Sequence, residues 1–231
     1  MRINKYIAQA GYTSRRKADE LIAAGKVKVN GKVLKEMGYD VKDNDIVSID
    51  GQILELEKYF YYKLNKPVGY ITSNYDPHNE KDLNNLIDFD ERFFATGRLD
   101  KDSHGLLIIT NDGDFTNALI HPSFEISKEY IVKVDKLLND KQIEKFKSGL
   151  DIGNGEKTSK SNISYLADNT YLVNISQGYN RQIRRMFDVF GSKVVDLKRT
   201  KIGAICLDSL ARGEYKKFNE KEMDFVSLIK E

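Results

Sequence analysis

The chain of 231 residues contains one cysteine, Cys206, so no disulfide can form within it. No apolar run approaches the roughly 20 residues that a membrane-crossing helix needs. The opening MRINKYIAQAG lacks the apolar stretch of a signal peptide, and no segment is of low complexity. These absences predict a cytosolic (cytoplasmic) protein with no membrane role. Net charge is also nearly absent, since 37 Lys and Arg face 35 Asp and Glu. Hydrophobic residues make up 40% of the chain, enough for a substantial core at this length. The charge, however, is unevenly placed. Residues 1–35 hold nine basic and two acidic residues, a net +7 that leaves −5 for the remainder. Such asymmetry suggests a basic module for a polyanion attached to a larger body with a different task, the plainer alternative being a solvated charged face.

In INKYIAQAG, Ile3, Tyr6 and Ile7 recur at helical spacing, and Gly11 offers a left-handed stop. YTSRRKADELIAAGK restarts the pattern: Thr13 or Ser14 can cap a second helix with apolar face Ala18, Leu21 and Ile22, ended by Gly25. Arg15, Arg16 and Lys17 crowd its first turn, where they oppose the helix dipole. An incoming phosphate, meeting both side chains and free N–H groups, would account for that cost. KVKVNGKVL then alternates around Asn30-Gly31, a strong hairpin signal, with Lys26, Lys28 and Lys32 near the same basic end. Two helices followed by a basic hairpin, with SRRKADELIAAGKVKVNGK at its centre, resembles the small RNA-binding module named after ribosomal protein S-four, over about residues 2–48. That resemblance implies RNA contact by Arg15, Arg16, Lys17, Lys26, Lys28 and Lys32, through backbone and shape.

DGQILELEKYFYYKLNKPVGYITS runs from a turn at Asp50-Gly51 through an acidic, apolar connector into an aromatic strand stopped by Lys66-Pro67. The boundary is placed near residue 58, giving domains 1–58 and 59–231. The aromatic run Tyr59 to Tyr62 could stack bases, but alternating aromatics before a Pro-Gly turn read better as a buried strand.

GRLDKDSHGLLIITNDGD, residues 97–114, sets two acids two positions apart before an aliphatic strand. As a calcium loop, Asp100, Asp102 and Gly105 fit, but Asn111 stands where a bidentate Glu is required and the sequence after the glycine is β-rich. His78, His104, His121 and Cys206 show no paired zinc-ligand spacing, so no metal is expected. His121 could be a general base on paper, yet HPS reads as a turn ending a helix.

The same stretch resembles the signature of the pseudouridine synthases, in particular the branch that modifies ribosomal RNA. Further pieces match in order: LNKPVGYITS at 64–73, HPSFEISKEYIVKV at 121–134, GYNRQIRRMFDVFG at 178–191 and LKRTKIGAICLDSLARGEY at 197–215. The resemblance implies that Asp100 is the catalytic acid, that Arg184 is the basic partner keeping it charged, and that Tyr130 is the active-site tyrosine. It leaves Asp102 to shape the turn. Arg181, Arg184 and Arg185 fall at i, i+3 and i+4, with Ile183, Met186, Phe187 and Phe190 as the apolar face, so one arginine can pair inward while others meet phosphate. Asn180 and Gln182 of the same motif join Arg181 and Arg185 as RNA contacts; Arg98 would fill the gap left by a flipped base, and Leu207 would pack beneath it. Gln177 stands where many relatives have Glu, which should affect substrate choice more than chemistry.

The implied fold is α+β: a small N-terminal αL RNA-binding module, then a catalytic domain with a mixed, mostly antiparallel β-sheet flanked by helices. The implied reaction breaks the N1–C1′ bond of a uridine, turns the base and joins C5 to C1′, which needs no cofactor. Asp100 could attack C1′ or take a ribose proton, and both routes stay open. The expected partner is ribosomal RNA or an assembly intermediate, large-subunit RNA before small-subunit RNA, with the protein a monomer. A ribosome-assembly factor that only holds RNA is the competing class.

Overall fold

The computed structural model describes residues 1–73 and 81–230. His78, weighed above as a zinc ligand, lies outside the described residues. Two compact units form, one of Met1–Phe60 with Phe89–Phe93, the other of Tyr61–Asp88 with Phe94–Glu231.

The first unit begins with helices α1 (Ile3–Gln9) and α2 (Arg15–Ala23). Ser14 is the residue that caps α2, its hydroxyl accepting from the Lys17 N–H at 3.2 Å. Strands β1 (Val27–Val29), β2 (Lys32–Val33), β3 (Val47–Ile49) and β4 (Gln52–Ile53) form an antiparallel sheet in the order β2-β1-β3-β4. Asn30 and Gly31 both take positive φ, 51° and 78°, the geometry that matches a two-residue hairpin to the twist of its strands. Ile3, Ile7, Ala18, Ile22, Val27, Val47 and Ile49 close the core, so the apolar faces meet as their spacing predicts.

The second unit is built on a nine-stranded sheet. Its strands are β5 (Tyr61–Lys66), β6 (Phe94–Thr96), β7 (His104–Thr110), β8 (Lys128–Val134), β9 (Asn162–Ala167), β10 (Thr170–Ile175), β11 (Val194–Ile202), β12 (Ile205–Cys206) and β13 (Tyr215–Lys217). The order is β13-β5-β7-β11-β8-β10-β9, with β6 on β7 and β12 on β11. β7 and β11 run parallel and the other described pairings are antiparallel, so the sheet is mixed and mostly antiparallel. Every residue of β7 is buried, which explains its unbroken apolar run instead of an alternation. The flanking helices are α3 (Gly113–Ile120), α4 (Asp140–Ser148), α5 (Gln182–Asp188) and α6 (Glu220–Lys230).

The aromatic run is core at Tyr61, whose ring meets Phe115 edge-on and stacks with Phe218 while its hydroxyl donates to buried Asp112 at 2.7 Å. In α5, Ile183, Met186 and Phe187 are buried as their spacing predicts. Phe190 lies beyond the helix end and is half-buried. Arg181 is not a helical residue but the cap before α5, in left-handed conformation at φ 50°.

Candidate active site

Asp100 sits in the loop that joins β6 to β7, where the sequence turns from GRL to the buried strand. Six consecutive carbonyls of this loop are held. Arg98 O accepts from Arg199 Nη1 at 3.3 Å and Leu99 O from Thr72 Oγ1 at 2.6 Å. Asp100 O accepts from the Ser103 N–H at 3.0 Å and Lys101 O from the Gly69 N–H at 2.8 Å. Asp102 O accepts from Arg184 Nη2 at 2.9 Å and Ser103 O from Lys66 Nζ at 3.0 Å. Apart from the loop's own Ser103 N–H, the donors come from β5 and the segment after it, from α5 and from β11, so parts distant in sequence fix one short turn. The half-buried Asp100 carboxylate, in contrast, receives no hydrogen bond among the described residues. A rigid backbone carrying an uncommitted carboxylate is what a group that must act on an incoming substrate needs.

Three cations within this shell are buried: Lys66, Arg184 and Arg199. Burial drives the Lys66 ammonium down from 10.5 to about 8, with the Asp100 charge pulling the other way and Arg199 adding to the fall. Lys128, two residues before Tyr130 on β8, is likewise pushed down to about 8 by burial and by Arg199. Its Nζ donates to the carbonyls of Ile126 at 3.0 Å and Ser176 at 2.9 Å. Asp100 thus lies in a field of positive charge without a direct ion pair.

The pair expected between Arg184 and Asp100 is not the one formed. Arg184 donates to Asp102 O, to Ser103 Oγ at 3.2 Å and to Val194 O at 3.0 Å, and its Nε lies 3.4 Å from the Asp102 carboxylate. Arg181 meets both Asp102 oxygens, at 3.1 and 2.9 Å. Burial raises the Asp102 carboxyl, but the Arg181 hydrogen bonds and the Arg184 charge outweigh it and hold the group below the usual range. Asp102, read from sequence as a turn residue alone, is therefore the anion that ties α5 to the turn. The geometry has a simple cause: Asp102 lies on the α5 side of a tight loop, while the Asp100 carboxylate is left uncommitted.

Tyr130, 8% exposed, is on β8 beside β11, opposite Arg199 in register. β11 bulges between Arg199 and Lys201, and the bulge residue Thr200 bonds Glu129 through its hydroxyl and the Leu207 N–H through its carbonyl at 2.9 Å. Buried Leu207 is fastened to this strand, as is Tyr130. Arg98 is exposed. His121 caps the one-turn helix Pro122–Phe124, its Nδ1 accepting from the Ser123 N–H at 3.3 Å, in keeping with a turn role.

The model for RNA pseudouridylate synthase matches residues 61–188, and that for the S4 domain matches residues 1–47. "Ribosomal large subunit pseudouridine synthase B" of Bacillus subtilis is 38% identical over 96% of this chain and 93% of its own. "Dual-specificity RNA pseudouridine synthase RluF" of Escherichia coli K12 is 39% identical over 99% of this chain and 79% of its own. The chain belongs to the RNA pseudouridylate synthase family. A crystal structure of a pseudouridylate synthase superposes with TM-score 0.72 at 28% identity, covering 98% of this chain and 99% of that one. An RNA pseudouridylate synthase isomerises uridine without cleaving the strand, and in this chain the Asp100 carboxylate lies near the buried cations Lys66 and Arg199.

The RNA contacts expected of this synthase divide. Arg15, Arg16, Lys17, Lys26, Lys28 and Lys32 are exposed on the first unit. The register Lys28↔Val33 and Val29↔Lys32 sets Lys28 and Lys32 on opposite faces of the hairpin, not in one row. Asn180 is exposed, and Arg181 is exposed but engaged by Asp102. Gln182, expected to meet RNA, is 4% exposed; its Oε1 accepts from the Tyr179 N–H at 3.0 Å and locks the start of α5. Arg185, also expected to meet phosphate, is spent inside the protein on Ile152 O, Gly153 O, Asn180 O and the Glu156 carboxylate. Helical spacing placed Arg184 and Arg185 on α5, with Arg181 its cap instead of a helical residue, but could not show that the 152–156 segment engages Arg185. Lys66, Thr72 and Arg199 were missed as loop-holding residues. Their signal was present in the matching of LNKPVGYITS and LKRTKIGAI, which carry chemistry-bearing residues beside apolar ones.

Proposed function

We propose that the substrate is a uridine of ribosomal RNA, in the large subunit, and that Asp100 carries its isomerisation to pseudouridine. The observation that carries this reading is the Asp100 loop, with six held carbonyls and a carboxylate left open to an incoming ribose. As the uracil leaves, C1′ becomes electron-poor, and an ionised carboxylate either attacks it or removes a ribose proton. The base then turns and C5 joins C1′ as the carboxylate leaves C1′ or returns the ribose proton; the C5 proton is lost to solvent and N1 takes one up, so Asp100 is regenerated and the product is an isomer of the substrate. The Tyr130 ring is suited to stack on the uracil and its hydroxyl to help move that proton, with Leu207 packing from below. The target base must leave its stack, and Arg98, exposed two residues before Asp100, can occupy the vacated space. Arg184 acts on Asp100 through the turn it fixes instead of through a direct pair.

The first unit supplies affinity: its exposed Arg15, Arg16 and Lys17 crown the capped start of α2, where phosphate meets both cation and helix N–H groups. Asn180 and Arg181 extend the contact near the site, the RNA phosphate drawing Arg181 from Asp102. No described helix is long and apolar enough to cross a membrane, and a monomer working in the cytoplasm without cofactor fits the chemistry. The large subunit is favoured by the name of the Bacillus subtilis relative. Mapping pseudouridine by carbodiimide adducts and primer extension on transcripts of both subunits tests the assignment. A new adduct in the large-subunit transcript supports it, one only in the small-subunit transcript moves the target, and none with bound RNA favours an assembly factor.

A further inference from the structure

Arg199 is 4% exposed and lies at the centre of the second unit's sheet, where β11 has β7 on one side and β8 on the other. In register it faces Gly105 across the parallel pair and Tyr130 across the antiparallel pair. Its Nε donates to Leu106 O at 2.7 Å and its Nη1 to Arg98 O at 3.3 Å. These two carbonyls stand on either side of Asp100 along the chain, one where the loop begins and one inside β7 where it has ended. Gly105 makes the approach possible, since with φ +106° it has no Cβ, and one added there would run into the Arg199 backbone. On the other side, β11 bulges directly after Arg199, so the position opposite Tyr130 is the last before the register shifts.

A buried guanidinium is an expensive way to hold two carbonyls, more so because Nη2 is buried without a hydrogen-bond partner among the described residues. Its charge also works against two neighbouring cations, Lys66 and Lys128. A residue retained only for sheet stability would be better replaced by an apolar side chain of similar volume. What an apolar side chain could not do is grip both ends of the Asp100 loop from the strand that also carries the neighbour of Tyr130.

We propose that Arg199 is a positioning residue for the isomerisation, fixing the Asp100 carboxylate relative to Tyr130 by clamping both ends of the Asp100 loop to β11. This rests on the reading of Asp100 as the reacting acid. Arg199 is buried and bonds backbone carbonyls of the loop and strand, so it should govern kcat and leave RNA affinity alone. Misplacement of a reacting group by about 1 Å costs on the order of 100-fold, which is the expected fall for Arg199→Met. Arg199→Lys keeps the charge and one hydrogen bond but loses the fork, so it should recover part of that loss.

The experiment measures single-turnover tritium release from C5-labelled large- and small-subunit ribosomal RNA transcripts, together with RNA affinity by filter binding and thermal unfolding, for the unaltered protein and both variants. The inference predicts that Arg199→Met is about 100-fold slow with RNA affinity within a factor of about two, and that Arg199→Lys lies between. If Arg199→Met does not fold, a folded Arg199→Lys that is slowed at unchanged affinity still supports the inference. Full activity in either folded variant, or a loss of rate matched by an equal loss of RNA binding, would overturn it. Absence of release by the unaltered protein would instead sink the reading of the reaction on which the inference stands.

Discussion

Asp100→Asn keeps the size of the side chain and removes the charge, and the backbone bonds that hold the loop do not involve that carboxylate. The variant should therefore fold and bind RNA as before while turnover falls by at least about 100-fold, the lower range for a group acting as acid or base in a transition state. Unfolding curves and filter binding check the first half, and single-turnover rates the second. Lys66 gives a pH signature. Its folded value of about 8 lies below its ordinary 10.5, so below pH 8 both folded and unfolded chains carry the proton and the full desolvation cost is present. Between about pH 8 and 10.5 the folded protein releases the proton first, and this group favours folding more as pH rises. Lys66→Met should flatten that alkaline rise in a plot of unfolding free energy against pH. An unchanged slope would mean that the Lys66 ammonium is not desolvated.

At the scale of elements, the parts carried by local rules were legible in the sequence. The Asn30-Gly31 hairpin, the Ser14 cap and the apolar stripe of α5 follow from turn geometry, capping and period, and each forms. The loop around Asp100 was legible as a motif, but the hands that hold it were not, because Thr72, Arg184 and Arg199 reach it only after β5, α5 and β11 have assembled. For the same reason Arg185 and Gln182 read as RNA contacts: nothing local to NRQIRRM shows that Ile152 and Glu156 will arrive to occupy Arg185. Two tests belong here. Gly105→Ala must hold φ +106° and push β7 from Arg199, so it should destabilise by at least about 1–3 kcal/mol from backbone strain alone. Chemical denaturation measures this directly. Asp112 closes the second unit by capping α3 and accepting from Tyr61 and from Lys230 of α6 at 2.6 Å. Burial raises its carboxyl, but the Lys230 and Tyr61 hydrogen bonds win, leaving it lowered. Its contribution is thus present above the ordinary carboxylate value and lost as pH falls through the folded one. Asp112→Asn should cost about 3 kcal/mol at pH 7, and less as pH falls through the lowered folded value, where the carboxyl of the unaltered protein is itself protonated.

For the whole molecule, the charge is uneven, with a net +7 in residues 1–35 and −5 in the remainder, and the proposed function assigns RNA affinity to the first unit. Replacing Arg15, Arg16 and Lys17 together by alanine removes exposed cations from the first unit without touching its core. Affinity for ribosomal RNA should fall and the slope of log affinity against log salt should shrink by about 2–3, close to 0.7–0.9 for each phosphate no longer neutralised. The single-turnover rate at saturating RNA should stay unchanged; a slower rate at saturation would place those residues in the chemistry instead. The most direct test of the central claim is tritium release from C5-labelled ribosomal RNA transcripts by the unaltered protein and by Asp100→Asn. The structure predicts release from one transcript by the unaltered protein and none by the variant, although the variant binds that transcript equally well. Release by Asp100→Asn at the unaltered rate would contradict the account, because the carboxylate left open in the held loop would then have no part in the reaction.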